Sequence, residues 1–91
     1  MSFLNSCIIL GRYRDVTIID DNLSCLVLLV NDEDGDLTIP IFIQTKAAEQ
    51  IKNSCTSNDL IGIKGKIDAD DNGLIIRATK ITFLTQDKRA D

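Results

Sequence analysis

From Thr38 to Gln44 the chain alternates Ile39, Ile41 and Ile43 against Thr38, Pro40, Phe42 and Gln44, the period-two pattern of a strand that buries one face. The strand reads from Leu37 to Gln44, and Pro40, which lacks an N–H, belongs at an edge or an unpaired position of it. Upstream, Leu23 to Val30 is apolar almost without interruption. That is the pattern of a strand covered on both faces, although periodicity alone also admits a buried helical segment. The tight acidic turn NDEDGD at 31–36, containing Asp34-Gly35, joins the two runs as a hairpin. The first strand-like run is Ser6 to Tyr13, with Gly11 inside it where a bulge or sharp bend fits. Val16 to Ile19 continues it before the turn cluster Asp20-Asp21-Asn22.

The period changes once. Thr45 to about Cys55 places Ala48, Ile51 and Cys55 at helical spacing with Thr45 as N-cap, and TSND at 56–59 ends it. Leu60 to Leu84 then reads as a second hairpin. Asn72-Gly73 is its turn signal, and as the central pair of a type I′ turn it sets Asp71 against Leu74, Asp68 against Arg77 and Lys66 against Thr79. Ile61, Ile63 and Ile67 alternate toward a core, and Gly65 thins the strand where another backbone approaches. On the return leg Ile76 and Ala78 share that face, whereas Ile81 and Phe83 have the opposite parity, which calls for a bulge near Lys80. Three strands, a short helix and two further strands make the order of an all-β, five-stranded OB-fold Greek-key barrel, with its one short helix between strands 3 and 4. The expected domain spans 1–86, followed by a polar tail at 87–91.

Composition narrows the chemistry. The 91 residues carry 14 acids and 10 bases, net −4, which argues against binding nucleic acid through bulk charge and leaves room for a local basic groove. Cys7, Cys25 and Cys55 are odd in number and unpaired in spacing, and with no histidine in the chain a zinc site has almost no ligands. They read as buried, reduced packing residues of a cytoplasmic protein. The N-terminal stretch lacks the basic region of a signal peptide, and no run reaches the ~18 apolar residues of a membrane span. Asp68 to Gly73 matches the start of a calcium loop, but position twelve is Thr79 where a bidentate Glu belongs, so an acidic hairpin turn is the better reading and no metal is expected. No nucleophile–base motif or phosphate-cradling glycine loop is present, so neither an enzyme nor a cofactor is expected.

The second hairpin carries Lys64, Lys66, Arg77 and Lys80 on its legs and Asp68, Asp70 and Asp71 at its tip. Two readings stand side by side: basic side chains that neutralise phosphates beside a stacking ring, or a solvated strand face with an Asp68–Arg77 pair worth ~0–1 kcal/mol.

Several segments resemble the bacterial single-stranded DNA-binding protein family. Asn5-Ser6-Cys7-Ile8-Ile9-Leu10-Gly11-Arg12 is similar to its opening strand, and Val30-Asn31 to the end of its second. Lys46-Ala47-Ala48-Glu49-Gln50-Ile51 followed by Leu60-Ile61-Gly62-Ile63-Lys64-Gly65-Lys66-Ile67 resembles its helix and fourth strand, and Ala78 to Leu84 its closing strand. The chain looks like a short form without that family's acidic C-terminal tail, similar in this respect to the primosomal replication protein N family. The resemblance implies a non-catalytic protein that binds single-stranded DNA with little sequence preference in replication, recombination or repair, as a homodimer or homotetramer. RNA is not separated from DNA by these features. It implies nucleic-acid contacts from Arg12, Tyr13, Arg14, Phe42, Gln44, Lys46, Lys64, Lys66 and Arg77. The departures are specific: the family's stacking aromatics on the third strand fall on Thr38 and Gln44, no tryptophan is present, and both hairpin loops are short and acidic. Phe42, on the same face as Thr38 and Gln44, is the candidate replacement ring. Those departures also favour the alternative, an OB-fold interaction or assembly subunit that has lost nucleic-acid binding.

Overall fold

A computed structural model describes residues 5–84 of the chain, so the polar tail expected at 87–91 lies outside the described residues. The elements are β1 (Cys7–Ile18), β2 (Leu23–Asp32), β3 (Gly35–Gln44), α1 (Thr45–Ser54), β4 (Leu60–Asp70) and β5 (Gly73–Phe83). The strands close into a barrel in the order β1-β2-β3-β5-β4, with β4 returning to β1. Neighbours are antiparallel except β3 and β5, which run parallel and bridge at Phe42 and Arg77. The all-β barrel with one helix between strands 3 and 4 is the architecture expected from the order of patterns. Among the described residues no helix is long and apolar enough to cross a membrane.

The inward faces supply the core: Val16, Leu26, Leu28, Ile41, Ile43, Ile61 and Ile63 from the strands, with Ala48 and Ile51 of α1 packed against them. Each Leu or Ile side chain fully buried there contributes about 1.5–3 kcal/mol. β3 alternates as its pattern predicts, and Pro40, opposite Val27 of β2, lies where β3 has no bridge to β5. β2 is corrected. Only its inner residues Ser24, Leu26 and Leu28 are fully buried, and Leu23, Cys25, Val27 and Leu29 are half-buried, because a strand of a closed barrel turns one face outward. The three cysteines are free thiols and likewise half-buried, not fully enclosed.

Thr45 is not the N-cap. Gln44 holds that position without a side-chain cap bond, and Thr45 is the first helical residue. Its Oγ1 donates to the Asp20 carbonyl at 2.7 Å and lies 2.8 Å from Ser24 Oγ, which is then the donor to Thr45. The hydroxyl expected to cap its own helix therefore fastens the helix to the β1–β2 turn.

Two bulges shape the barrel. In β1 the irregularity falls between Tyr13 and Asp15, at Arg14, and not at Gly11. Gly11 has another reason to lack a side chain: a Cβ there would stand 2.9 Å from the Leu29 carbonyl oxygen and 3.0 Å from Leu28 Cβ. In the β4–β5 hairpin, Lys64 opposes Lys80 while Gly65 opposes Ala78, which leaves Thr79 as the extra residue, next to the position that parity predicts. Gly65 meets another backbone as expected, since a Cβ there would stand 2.6 Å from the Arg77 carbonyl oxygen.

The turn of that hairpin starts one residue earlier than Asn72-Gly73 implies. Asp70 opposes Gly73, so Asp71-Asn72 is the central pair, and Asp70 Oδ1 accepts the Asn72 N–H at 2.8 Å, an Asx turn that begins the bend before the glycine. Asp68 then faces Ile75 and Lys66 faces Arg77. The pairing is displaced by two residues in all, an even slip that leaves every side chain on its expected face.

Candidate nucleic-acid interface

Backbone pairing lines up one transverse row of outward side chains across the barrel: Thr17 of β1, Cys25 of β2, Phe42 of β3, Arg77 of β5 and Lys66 of β4. Phe42 is half-buried in this row, and Arg77 and Lys66 are exposed. A ring flanked on one side by two cations can stack on a base while the cations meet its phosphates.

One step along the hairpin, Lys64 and Lys80 face each other directly, both exposed. Like charges opposite each other on a sheet repel, and a bound anion relieves that repulsion. Lys80 was missed as a site residue because the bulge that sets it against Lys64 is decided by pairing across strands, and only the parity break near it signalled the register. The one ion pair among the described residues joins Arg77 Nε to Asp68 Oδ2 at 3.2 Å, between diagonal neighbours. The Ala69 N–H, the Arg77 guanidinium and the charge of Lys66 hold the Asp68 carboxyl below the usual carboxylate range.

The remaining predicted residues scatter around this row. Gln44 ends β3 opposite Leu23, and Lys46 is exposed in the first turn of α1. Gln44 borders two recesses beside the row, one of about 130 Å³ shared with Asn22, Phe42 and Arg77 and one of about 250 Å³ shared with Ala47 and Lys80. Arg14 is the exposed bulge residue of β1. Arg12 faces outward but donates from Nη1 to the Asn58 carbonyl at 3.1 Å, which clasps the α1–β4 loop to β1. Tyr13 is corrected. It packs against the core, opposite the buried Leu28, and so does not stand on the wall with Phe42. Burial, then the Asp15 and Cys55 charges, push its hydroxyl pKa up.

No family model matches the chain, and neither does any curated protein sequence. Solved structures do match. The mitochondrial single-stranded DNA-binding protein Rim1 of S. cerevisiae is similar with a TM-score of 0.71 at 10% identity, over 92% of this chain and 97% of that one. The single-stranded DNA-binding protein of Thermus aquaticus, as a deletion mutant, gives 0.70 at 18% identity over 94% of this chain and 43% of its own. The SSB domain of a Synechococcus protein gives 0.62 at 16% identity over 89% and 97%. At such identities the likeness lies in the fold. The barrel is an OB-fold. On OB-folds the outer wall of strands 2 and 3, flanked by the β1–β2 and β4–β5 loops, is the surface that takes oligonucleotides and oligosaccharides. In this OB-fold that wall holds Cys25, Val27 and Leu29 against Phe42, Pro40 and Thr38.

Proposed function

We propose that this chain is a non-catalytic, largely sequence-independent single-stranded DNA-binding protein of replication, recombination or repair. Phe42 stacks on a base, Arg77, Lys66, Lys64 and Lys80 neutralise consecutive phosphates, and Gln44 and Lys46 extend the track toward α1. The observation that carries this reading is the row Phe42–Arg77–Lys66, with the opposed Lys64 and Lys80 beside it, on a chain whose net charge is −4. Cations gathered around one ring on a negatively charged protein are what a local polyanion track requires. Likeness in fold to single-stranded DNA-binding proteins supports it.

We further propose a homo-oligomer. Among the described residues β1 pairs with β2 only from Arg12 onward, so Cys7 to Leu10 has β4 on one side and no strand from those residues on the other. Ile8 and Leu10 on that segment are 81% and 54% exposed. An open edge beside exposed aliphatics is a template for strand pairing with a second copy. Ile8→Glu should convert the oligomer to monomer in sedimentation velocity.

The deciding experiment is fluorescence anisotropy of labelled oligo-dT against micromolar protein at low and at raised salt, with oligo-rU and a duplex in parallel. Binding to the single strands that weakens as salt rises is expected, because phosphate contacts release counterions. No binding at low salt would sink the proposal.

A further inference from the structure

Beyond Phe42 the seam between β3 and β5 is unbridged toward the strands' N-terminal ends. A groove of about 350 Å³ opens there, lined by Phe42, Pro40, Leu74 and isoleucines of β3, β4 and β5, with the Cys7 thiol at its side and no charged side chain. Leu74 is 81% exposed and Ile67 50%. Because β3 and β5 run parallel, the β2–β3 and β4–β5 turns stand at the same end of the barrel, with the groove between the two hairpins. One hairpin tip carries exposed Asp32, Glu33, Asp34 and Asp36, and the other exposed Asp68, Asp70 and Asp71. Among the described residues only Asp68 has a cationic partner.

We infer that this groove docks a segment of a partner protein that presents aliphatic or aromatic side chains flanked by lysine or arginine. Charge complementarity selects the occupant. A nucleic acid would bring phosphates against two acidic tips, and beyond the Phe42 ring, which already belongs to the proposed track, the lining offers a base only aliphatic side chains and one thiol. A second copy of this chain, itself net −4, would set the same acids against each other. The groove has the size of a small-ligand pocket, enough for one or two apolar side chains, and a basic flank on either side would meet the carboxylates of the tips. The groove shares Phe42 with the proposed DNA track, but none of the cations of that track lines it, so Leu74→Ser separates the two readings.

The test is anisotropy of a short labelled peptide of alternating lysine and leucine, titrated with the full chain. Two control peptides carry glutamate in place of lysine and serine in place of leucine. The lysine–leucine peptide should bind and both controls should fail. Leu74→Ser, at an exposed position that leaves the core intact, should weaken the peptide about tenfold, the scale of losing much of one buried leucine contact. Asp70→Asn with Asp71→Asn should weaken it a few-fold and flatten its salt dependence. Equal binding of the glutamate peptide, or an unchanged affinity in Leu74→Ser, would overturn the inference. So would a Leu74→Ser variant that loses oligo-dT by the same factor, which gives the groove to nucleic acid, or one that changes sedimentation, which gives it to a second copy.

Discussion

Phe42 of β3 and Arg77 of β5 are bridge partners at the place where the barrel closes. Their juxtaposition is set by backbone pairing between strands far apart in sequence, so both side chains leave the outer wall from neighbouring positions. Arg77 in turn faces Lys66, and its side chain is held by Asp68. Ring, cations and one competing acid therefore form a single unit.

Within that unit the ring and the cations should separate by salt. Phe42→Ala should weaken oligo-dT by about 1–3 kcal/mol with its salt slope unchanged, since stacking releases no counterion. Lys66→Ala should weaken it and flatten the log–log salt slope by about 0.7 for the lost phosphate contact. Titrations of both variants at several salt concentrations make the comparison, and equal slopes would remove Lys66 from the track.

Asp68 competes with phosphate for Arg77. Asp68→Asn should tighten oligo-dT a few-fold and steepen the salt slope. The same substitution has a pH signature. The folded-state pKa of Asp68 is lowered, by the Ala69 N–H first and then by Arg77. Its contribution to stability is therefore present above the unfolded carboxylate value of about 3.9 and is lost as pH falls through the lower folded value. Denaturation midpoints of the parent and Asp68→Asn, measured from neutral pH downward, should differ at neutrality and converge at acid pH.

Gly65 tests the close approach inside the second hairpin. With the Arg77 carbonyl oxygen 2.6 Å from where a Cβ would sit, Gly65→Ala must move backbone. The expected cost is about 1–3 kcal/mol, the range for overpacking. Gly62→Ala is the control, because its Cβ would meet Leu84 Cδ1 at an ordinary 3.5 Å. Chemical denaturation should show a large loss for the first and a small change for the second.

Thr45 tests the tie between α1 and the β1–β2 turn. Thr45→Val leaves the buried Ser24 hydroxyl and the Asp20 carbonyl without this partner, at an expected cost of about 1–3 kcal/mol. Adding Ser24→Ala should recover part of that loss, because an unsatisfied buried hydroxyl is removed with it. A double variant no more stable than Thr45→Val alone would mean that the hydroxyl pair is not what stabilises the joint.

Periodicity and turn chemistry, both local, carried much of this molecule. The alternation of Ile39, Ile41 and Ile43, the helical spacing of Ala48 and Ile51, and the parity break between Ala78 and Ile81 determined the element order, the inward faces and a bulge close to where it occurs. A side chain's face depends only on its neighbours in the chain, so sequence suffices for it. Asp70 against Asn72-Gly73 was already a contest between two local signals, and the Asx turn prevailed. What crosses the barrel was decided by the fold alone: Thr45 bonded to Ser24 and Asp20, Arg12 clasping Asn58, Tyr13 turned to the core, Lys64 set opposite Lys80, and an apolar groove between two acidic hairpins. Each of these pairs residues brought together only when the barrel closes, and closure is set by packing and register summed over all five strands, which no short window of sequence contains.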